Sequence, residues 1–321
     1  MVIIEREHAG RRAAAPETVA AVGRLQELFV WKNGEVRSGR DAVSVWDHGL
    51  LYGDGIFEGI RLRDGWLYRP DLHFVRLRRS AAIVGLDIDL TDDELLRGIA
   101  AVAEANRLRD AHVRVVCTRG VGLPGLDPRR CIEPTVYILA YPFPPYLGET
   151  ALSVIVSNVV RKSPRSVDAA VKSLNYLDGI LAKMQANAAG AGEALMLDGE
   201  GFLAEATAAN VFVIRDGELQ TPLPTACLAG VTRRTVLELA RELGVATHER
   251  RLSVGDLYAA DEAFLTGTAA GIVPIGTADG RRLRFTPGPV TTQLVEAYAA
   301  TWHDPQYAVE VVPADARPEV T

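Results

Sequence analysis

The chain has 321 residues, a formal net charge of −6, 48% apolar residues and 24% charged ones. Such a length fits two domains sharing a cleft, the apolar share supports a sizeable core, and an acidic balance without a basic stripe argues against nucleic-acid binding. Cys117, Cys131 and Cys227 form no CxxC pair, so a reduced cytoplasmic setting is expected rather than a disulfide framework or zinc site, and no apolar run reaches the length of a membrane span.

Residues 1–26 carry Glu5 and Glu7 where a signal peptide would need its apolar region, and read as a mobile extension. Glu27–Arg37 reads as a hairpin turning at Asn33-Gly34, and Ile60–Tyr68 as a second one turning at Asp64-Gly65. Pro70 to Gly85 has helical period, and Thr91–Arg107 is a helix opening on a Thr91/Glu94 capping box. His112–Arg119 and Thr135–Tyr141 read as strands. YPFPPYLGET (141–150), with two consecutive prolines and a glycine, reads as a linker. Beyond it, alternating Leu152, Val154 and Val156 start a new strand. Tyr176–Ala188 is expected to be helical, with Leu177, Ile180, Leu181, Met184 and Ala188 on one face. Strands follow at Glu193–Leu197 and Asn210–Ile214, then a helix over Thr232–Leu243 closed by Gly244, then a short strand at Phe264–Thr266. The class is mixed α and β. The expected division is an extension (1–26), a small domain (27–144), a linker (145–151), a large domain (152–302) and a tail (303–321).

Several chemistries fail on context. Gly120-Val-Gly-Leu-Pro-Gly125 matches GxGxxG, but Pro124 and Pro128 forbid the helix that a dinucleotide turn must open. Walker A, HExxH and GxSxG patterns are absent, and the six histidines never fall at metal-ligand spacing, so no metal is expected.

One constellation survives. Of 35 basic residues only Lys32, Lys162, Lys172 and Lys183 are lysine, and an amine can form a Schiff base where a guanidinium cannot. Lys172 precedes a helix and lies four residues before Tyr176, so that phenol and amine can face one space. Glu205 follows an apolar strand. AGVTR (229–233), at a helix start, and TGTAAG (266–271) expose backbone N–H groups suited to an anion such as phosphate.

Eight blocks in order resemble the fold-type IV pyridoxal-phosphate enzymes, closest to branched-chain amino-acid aminotransferases: DHGLLYGDGIFEGIR (47–61), HFVRLRRS (73–80), RGVGLPGLDP (119–128), KSLNYL (172–177), ALMLDGEGFLAE (194–205), NVFVIRDGELQTP (210–222), LAGVTR (228–233) and ADEAFLTGTAA (260–270). The resemblance runs from about Leu28 to Tyr298. It implies an α+β fold of two domains, a small N-terminal α/β domain and a larger C-terminal one with a barrel-like sheet. It implies pyridoxal 5′-phosphate held on Lys172 as an aldimine, with pyridoxamine 5′-phosphate as the alternate form in a ping-pong cycle that passes an amino group to 2-oxoglutarate. By the same resemblance Tyr176 hydrogen-bonds the ring hydroxyl, Glu205 partners the ring nitrogen, and Asn210 supports Tyr176 or the ring. Leu228 packs on the ring face. Arg76, with the turn residues Gly230, Val231, Thr232 and Thr268, holds the phosphate. Tyr52, Phe57, Gly59, Arg61, His112 and Arg114 line the substrate cleft, and amides of Thr268 and Ala269 face the substrate carboxylate. A homodimer is implied, since the partner supplies part of the pocket.

The chain departs from the family pattern at three points. His112 stands where branched-chain enzymes usually have tyrosine. ATAAN (206–210) replaces a glycine-rich turn, and YAATWHDPQY (298–307) loosely resembles tails of (R)-selective amine transaminases. A branched-chain L-amino acid is the first expected donor. A D-amino acid or (R)-amine is the second, and an aminodeoxychorismate lyase-like reaction is a further alternative.

Overall fold

Local turn chemistry builds the first half of the chain. In the computed structural model, which describes residues 16–142 and 151–314, α1 (Pro16–Gln26) leads into β1 (Phe29–Lys32) and β2 (Glu35–Ser38). Asn33 and Gly34 join these strands at φ 44° and 101°, the double positive φ of a type I′ hairpin. After α2 (His48–Tyr52), Asp64 and Gly65, at 51° and 88°, join β3 (Gly55–Arg63) to β4 (Trp66–Tyr68). α3 (Pro70–Val84) begins at a proline and stops at Gly85. α4 (Asp92–Ala105) opens on the Thr91/Glu94 capping box, and β5 (Ala111–Thr118) and β6 (Thr135–Tyr141) follow.

The second half runs β7 (Leu152–Val160), α5 (Leu177–Ala188), β8 (Glu193–Leu197), β9 (Leu203–Ala206), β10 (Asn210–Arg215), β11 (Glu218–Thr221), α6 (Val231–Glu242) and β12 (Thr247–Glu249). It continues through α7 (Val254–Tyr258), β13 (Glu262–Gly267), β14 (Gly271–Ala278), β15 (Arg281–Arg282), α8 (Pro289–Ala300) and β16 (Ala308–Glu310). One sheet is ordered β16-β4-β3-β5-β6-β1-β2 and is antiparallel throughout. The other is ordered β12-β11-β10-β13-β14-β7-β8-β9, with β15 beside β14, and mixes parallel with antiparallel pairs. Each sheet has its own apolar core, one around Leu62, Ile99 and Ile138, the other around Leu195, Val213 and Ile275. This is the mixed architecture with two sheets that the motifs imply.

Three local expectations need correction or placement. The linker lies outside the described residues except for Ala151, and residues 1–15 of the extension also lie outside, while Pro16–Gln26 is helical. The tail does not stand apart. β16 pairs with β4 at the edge of the first sheet, with Ala308 opposite Tyr68, so the chain returns from α8 to its first half. α5 packs through Gly179, Ala182 and Ala186, which let it lie close to Ala194 and Met196. Its larger residues Leu177, Ile180, Leu181 and Met184 face outward. Period alone cannot tell a small-residue contact face from a large-residue one.

One feature of the first sheet positions everything that follows. β4 covers only Leu62 and Arg63 of β3, leaving the start of β3 unpaired on that edge. The Lys172 segment fills it. Phe57 N donates to Lys172 O at 2.9 Å and Leu174 N to Gly55 O at 2.9 Å.

Candidate active site

Between the two sheets lies a pocket. Lys172, Arg76, Tyr176, Glu205, Asn210, Leu228, Gly230, Val231, Thr232 and Thr268 all line it. These residues come from six places in the chain, and the fold brings them to one cluster.

The structure separates the four lysines. Lys32 donates to Ala42 O, Lys162 to Asn175 O and Lys183 to Gly192 O. Lys172 alone lines the pocket. Its backbone N donates to Ser80 Oγ at 3.2 Å, and its amine reaches Tyr176 Oη at 3.3 Å. The amine also sits 4.5 Å from the centre of the Phe57 ring, which packs edge-on against Tyr176 at 5.3 Å. An amine, a phenol and an apolar wall therefore share one small volume.

Opposite stands Glu205, on β9 and buried. Arg161 Nε donates to its Oε1 at 2.7 Å and Leu228 N to its Oε2 at 3.2 Å. Each carboxylate oxygen has a further lone pair, so a ring N–H can still be accepted. Arg161 also pairs with Asp178. The Leu228 peptide is held from both sides, because Asn210 Nδ2 donates to Leu228 O at 2.8 Å. Of the two partners expected for Asn210, Tyr176 receives no hydrogen bond from it among the described residues, and its amide instead holds the loop before α6 through Leu228 O.

The far end of the pocket is an anion seat. Arg234 N is the first amide of α6 to find an intrahelical carbonyl, that of Gly230. The preceding amides of Val231, Thr232 and Arg233 are thus open to an anion at the positive end of the helix dipole. At 230 glycine leaves room for Asn210, since a Cβ there would lie 2.1 Å from Asn210 Oδ1 and would push that side chain off Leu228 O. Arg76 reaches the same place, donating from Nη1 to Ala229 O at 3.0 Å. Beside it, the buried Thr266 hydroxyl lines the pocket without a hydrogen bond among the described residues. A planar ring bearing a phosphate at one end and a protonated nitrogen at the other fits this donor set.

The substrate candidates divide. Phe57, Gly59 and Arg61 alternate along one face of β3, with Arg114 opposite Gly59 and His112 opposite Arg61. The Arg114 guanidinium lies 3.9 Å above the Phe57 ring. Burial, then the charges of Arg114, Lys172 and Arg61, push the His112 imidazole down to about 4, so it is neutral near pH 7. Arg61, Thr268 and Ala269 border an adjoining cavity with Arg63, Tyr298 and Trp302, and Thr268 is common to both spaces. Tyr52 lies apart. Its hydroxyl accepts from Gly125 N at 2.8 Å, near the surface.

Sequence reasoning missed Arg161, and it flagged the 206–210 and 266–271 turns without naming Thr207, Ala208, Ala209, Thr266 and Gly267 as pocket residues; all six line the pocket. The Ala-rich 206–209 turn closes without glycine: Ala206 N donates to Ala209 O at 2.7 Å, and Thr207 Oγ1 to Glu193 Oε1 at 2.9 Å. The run of small residues was the available signal for a turn against a ligand, whereas Arg161 carried none.

Comparison with known proteins points the same way. Residues 55–277 match the family described as amino-transferase class IV. The chain is 46% identical over 274 residues to a Methanocaldococcus jannaschii protein provisionally named a branched-chain-amino-acid aminotransferase, covering 84% of this chain and 95% of that one. It is 39% identical over 283 residues to the branched-chain-amino-acid aminotransferase of Pseudomonas aeruginosa, covering 84% and 91%. Among solved structures, the Escherichia coli branched-chain amino acid aminotransferase superposes with a TM-score of 0.85 at 33% identity, covering 89% of this chain and 99% of that one.

Proposed function

The chain belongs to the class IV aminotransferases and is a pyridoxal-phosphate-dependent enzyme, and from that premise we propose that it moves the amino group of a branched-chain L-amino acid to 2-oxoglutarate in a ping-pong cycle centred on Lys172. The observation that carries the reading is the Lys172 amine, 3.3 Å from Tyr176 Oη in a pocket that also holds Glu205 and the start of α6.

When bound, the cofactor supplies an electron sink for the carbanion character that develops at the substrate Cα. The chain's residues do the rest. The Lys172 amine would hold the cofactor and is placed to serve as the base that moves the proton at the substrate Cα. Tyr176 orients that amine by hydrogen bond. Glu205, kept in place by Arg161, offers a carboxylate to the ring nitrogen. Arg76 and the first α6 amides would hold the phosphate and so keep the ring in place. The Phe57 wall excludes water and suits an apolar side chain, while Arg114 supplies a cation for the second carboxylate of the acceptor. The branched-chain donor is favoured by what the relatives are named for.

A D-amino-acid or (R)-amine donor is the second reading, and one observation favours it: the neutral His112 imidazole on the cleft wall, where a phenol is the family pattern. Exposed Val45, Trp46, Leu50, Leu123, Leu126 and Ile132 form an apolar surface around α2, close to Tyr52. We assign a second copy of the chain to it, which would bring Tyr52 toward the partner's pocket. A cytoplasmic setting fits the three free thiols. No helix among the described residues is long and apolar enough to cross a membrane.

Borohydride treatment should fix the cofactor on the peptide containing Lys172, and Lys172→Ala should be colourless. A covalent adduct on another lysine would overturn the assignment. Single-turnover reactions of the loaded enzyme with L-leucine, D-alanine and (R)-1-phenylethylamine, followed by visible absorbance, decide the donor. L-Leucine should react fastest, and a response to D-alanine alone would overturn the branched-chain reading.

A further inference from the structure

Alternation along β3 sends Phe57 and Gly59 toward the cleft and Glu58 to the opposite face, against α3, where it is fully buried. A buried carboxylate must be paired. Glu58 Oε1 accepts from Arg76 Nε at 2.7 Å and Oε2 from Arg76 Nη2 at 2.7 Å, a two-pronged fork. Oε2 also accepts from His73 Nδ1 at 2.7 Å. His73 and Arg76 stand three residues apart on one face of α3. Burial lowers the His73 pKa, so the ring donates as a neutral imidazole and Arg76 supplies the charge. Burial alone would raise the Glu58 carboxyl, but Arg76, helped by His73, overrides it and brings it to about 2.

The consequence lies on the other side of the guanidinium. Arginine has five N–H donors in a rigid plane. Two go to Glu58 and one to Ala229 O, the residue before the cap of α6. Two donors, on Nη1 and Nη2, remain beside the open amides of Val231 and Thr232. An unheld arginine would spread over many rotamers. Here its plane is set from behind.

We propose that Glu58 is the positioning residue for the cofactor phosphate: it holds one edge of Arg76 so that the remaining edge faces the anion seat at the start of α6. The inference rests on Arg76 being the phosphate clamp. It also places the phosphate grip on the same strand as the Phe57 and Gly59 cleft wall, so cofactor and substrate are registered by β3.

The test is binding, not turnover. Enzyme stripped of cofactor by an amino donor in phosphate buffer is titrated with pyridoxal 5′-phosphate and with pyridoxal, and the ratio of the two affinities is read by protein fluorescence. Release of cofactor from the loaded enzyme is timed in inorganic phosphate and in chloride. Glu58→Gln keeps the shape and removes the charge. Its affinity ratio should fall roughly ten- to a hundredfold, mostly through the phosphate form, and inorganic phosphate should speed release more than in the parent enzyme. Glu58→Asp, whose carboxylate is one methylene short of the fork, should fall less. On an Arg76→Ala background, Glu58→Gln should lower the ratio no further.

A folded Glu58→Gln with the parent ratio sinks the assignment, as does a full additional loss on the Arg76→Ala background. An unchanged ratio in Arg76→Ala itself would overturn the clamp reading and this inference with it. Should Glu58→Gln not fold, the apolar pair Glu58→Met with Arg76→Met carries the test against Arg76→Met alone. Equal ratios support the proposal, and a lower ratio in the pair overturns it.

Discussion

At Gly59 the smallest side chain is required by the cleft itself. A Cβ there would sit 2.9 Å from His112 Nε2, and the His112 ring is backed by Tyr141 at 5.4 Å, so it has little room to retreat. Gly59→Ala should therefore push the imidazole into the donor space. The expected result is a KM for the amino donor raised about tenfold, with cofactor affinity unchanged. A normal KM would show that this wall does not border the donor. Because burial and neighbouring cations keep His112 neutral down to about pH 4, its ionisation should add no inflection to donor KM near neutrality. An inflection that disappears in His112→Phe would contradict this. The residue types at 59 and 112 could be read from the motif. Their diagonal approach across the β3–β5 pair, two residues out of register, could not.

At the scale of elements, α6 depends on a cap with no side chain. Gly230 has an ordinary φ of −64°, so the obstacle to a larger residue is Asn210 and not backbone strain. Gly230→Ala should displace Asn210 from Leu228 O, loosening the loop that Glu205 also holds. The expected cost is roughly 1–3 kcal/mol of stability, read by urea unfolding, together with weaker cofactor retention. An alanine variant as stable and as tightly loaded as the parent would mean that Asn210 moves freely and the clamp on Leu228 is dispensable. Elements defined by local signals were legible: the two hairpins from Asn-Gly and Asp-Gly, α4 from its capping box, α6 from its period and Gly244. Those defined by remote partners were not. β9, β11, β12 and β16 are four residues or fewer, and a strand that short carries no period of its own.

For the whole molecule, the C-terminal strand works as a strap. Arg69 N donates to Tyr307 O at 2.6 Å, and Val311 N and Val312 N both reach Gly65 O. Arg69 also holds α6 through Glu238 at 3.0 Å and Thr235 at 3.2 Å. The strap thus ties the edge of the first sheet to the helix whose start forms the anion seat. Ending the chain after Asp304 removes β16, exposes the backbone edge of β4, and uncovers buried Leu67 and Tyr68. Such a chain should lose a few kcal/mol of stability, aggregate more readily and release cofactor faster. Unchanged melting and release would show that the tail merely rests on the sheet.

The sequence by itself determined the mixed class, the hairpins and main helices, and most of the residues that now line one pocket. These follow from signals within a few positions of one another, or from motifs in chain order. The tertiary structure alone decided that Asn210 holds Leu228, that α5 packs by its small residues, and that Glu58 and Arg161 stand behind Arg76 and Glu205. The physical reason is separation. Arg161 meets Glu205 across 44 residues and Arg76 meets Ala229 across 153, distances over which no periodicity runs and only the packing of two sheets on one another selects the partner.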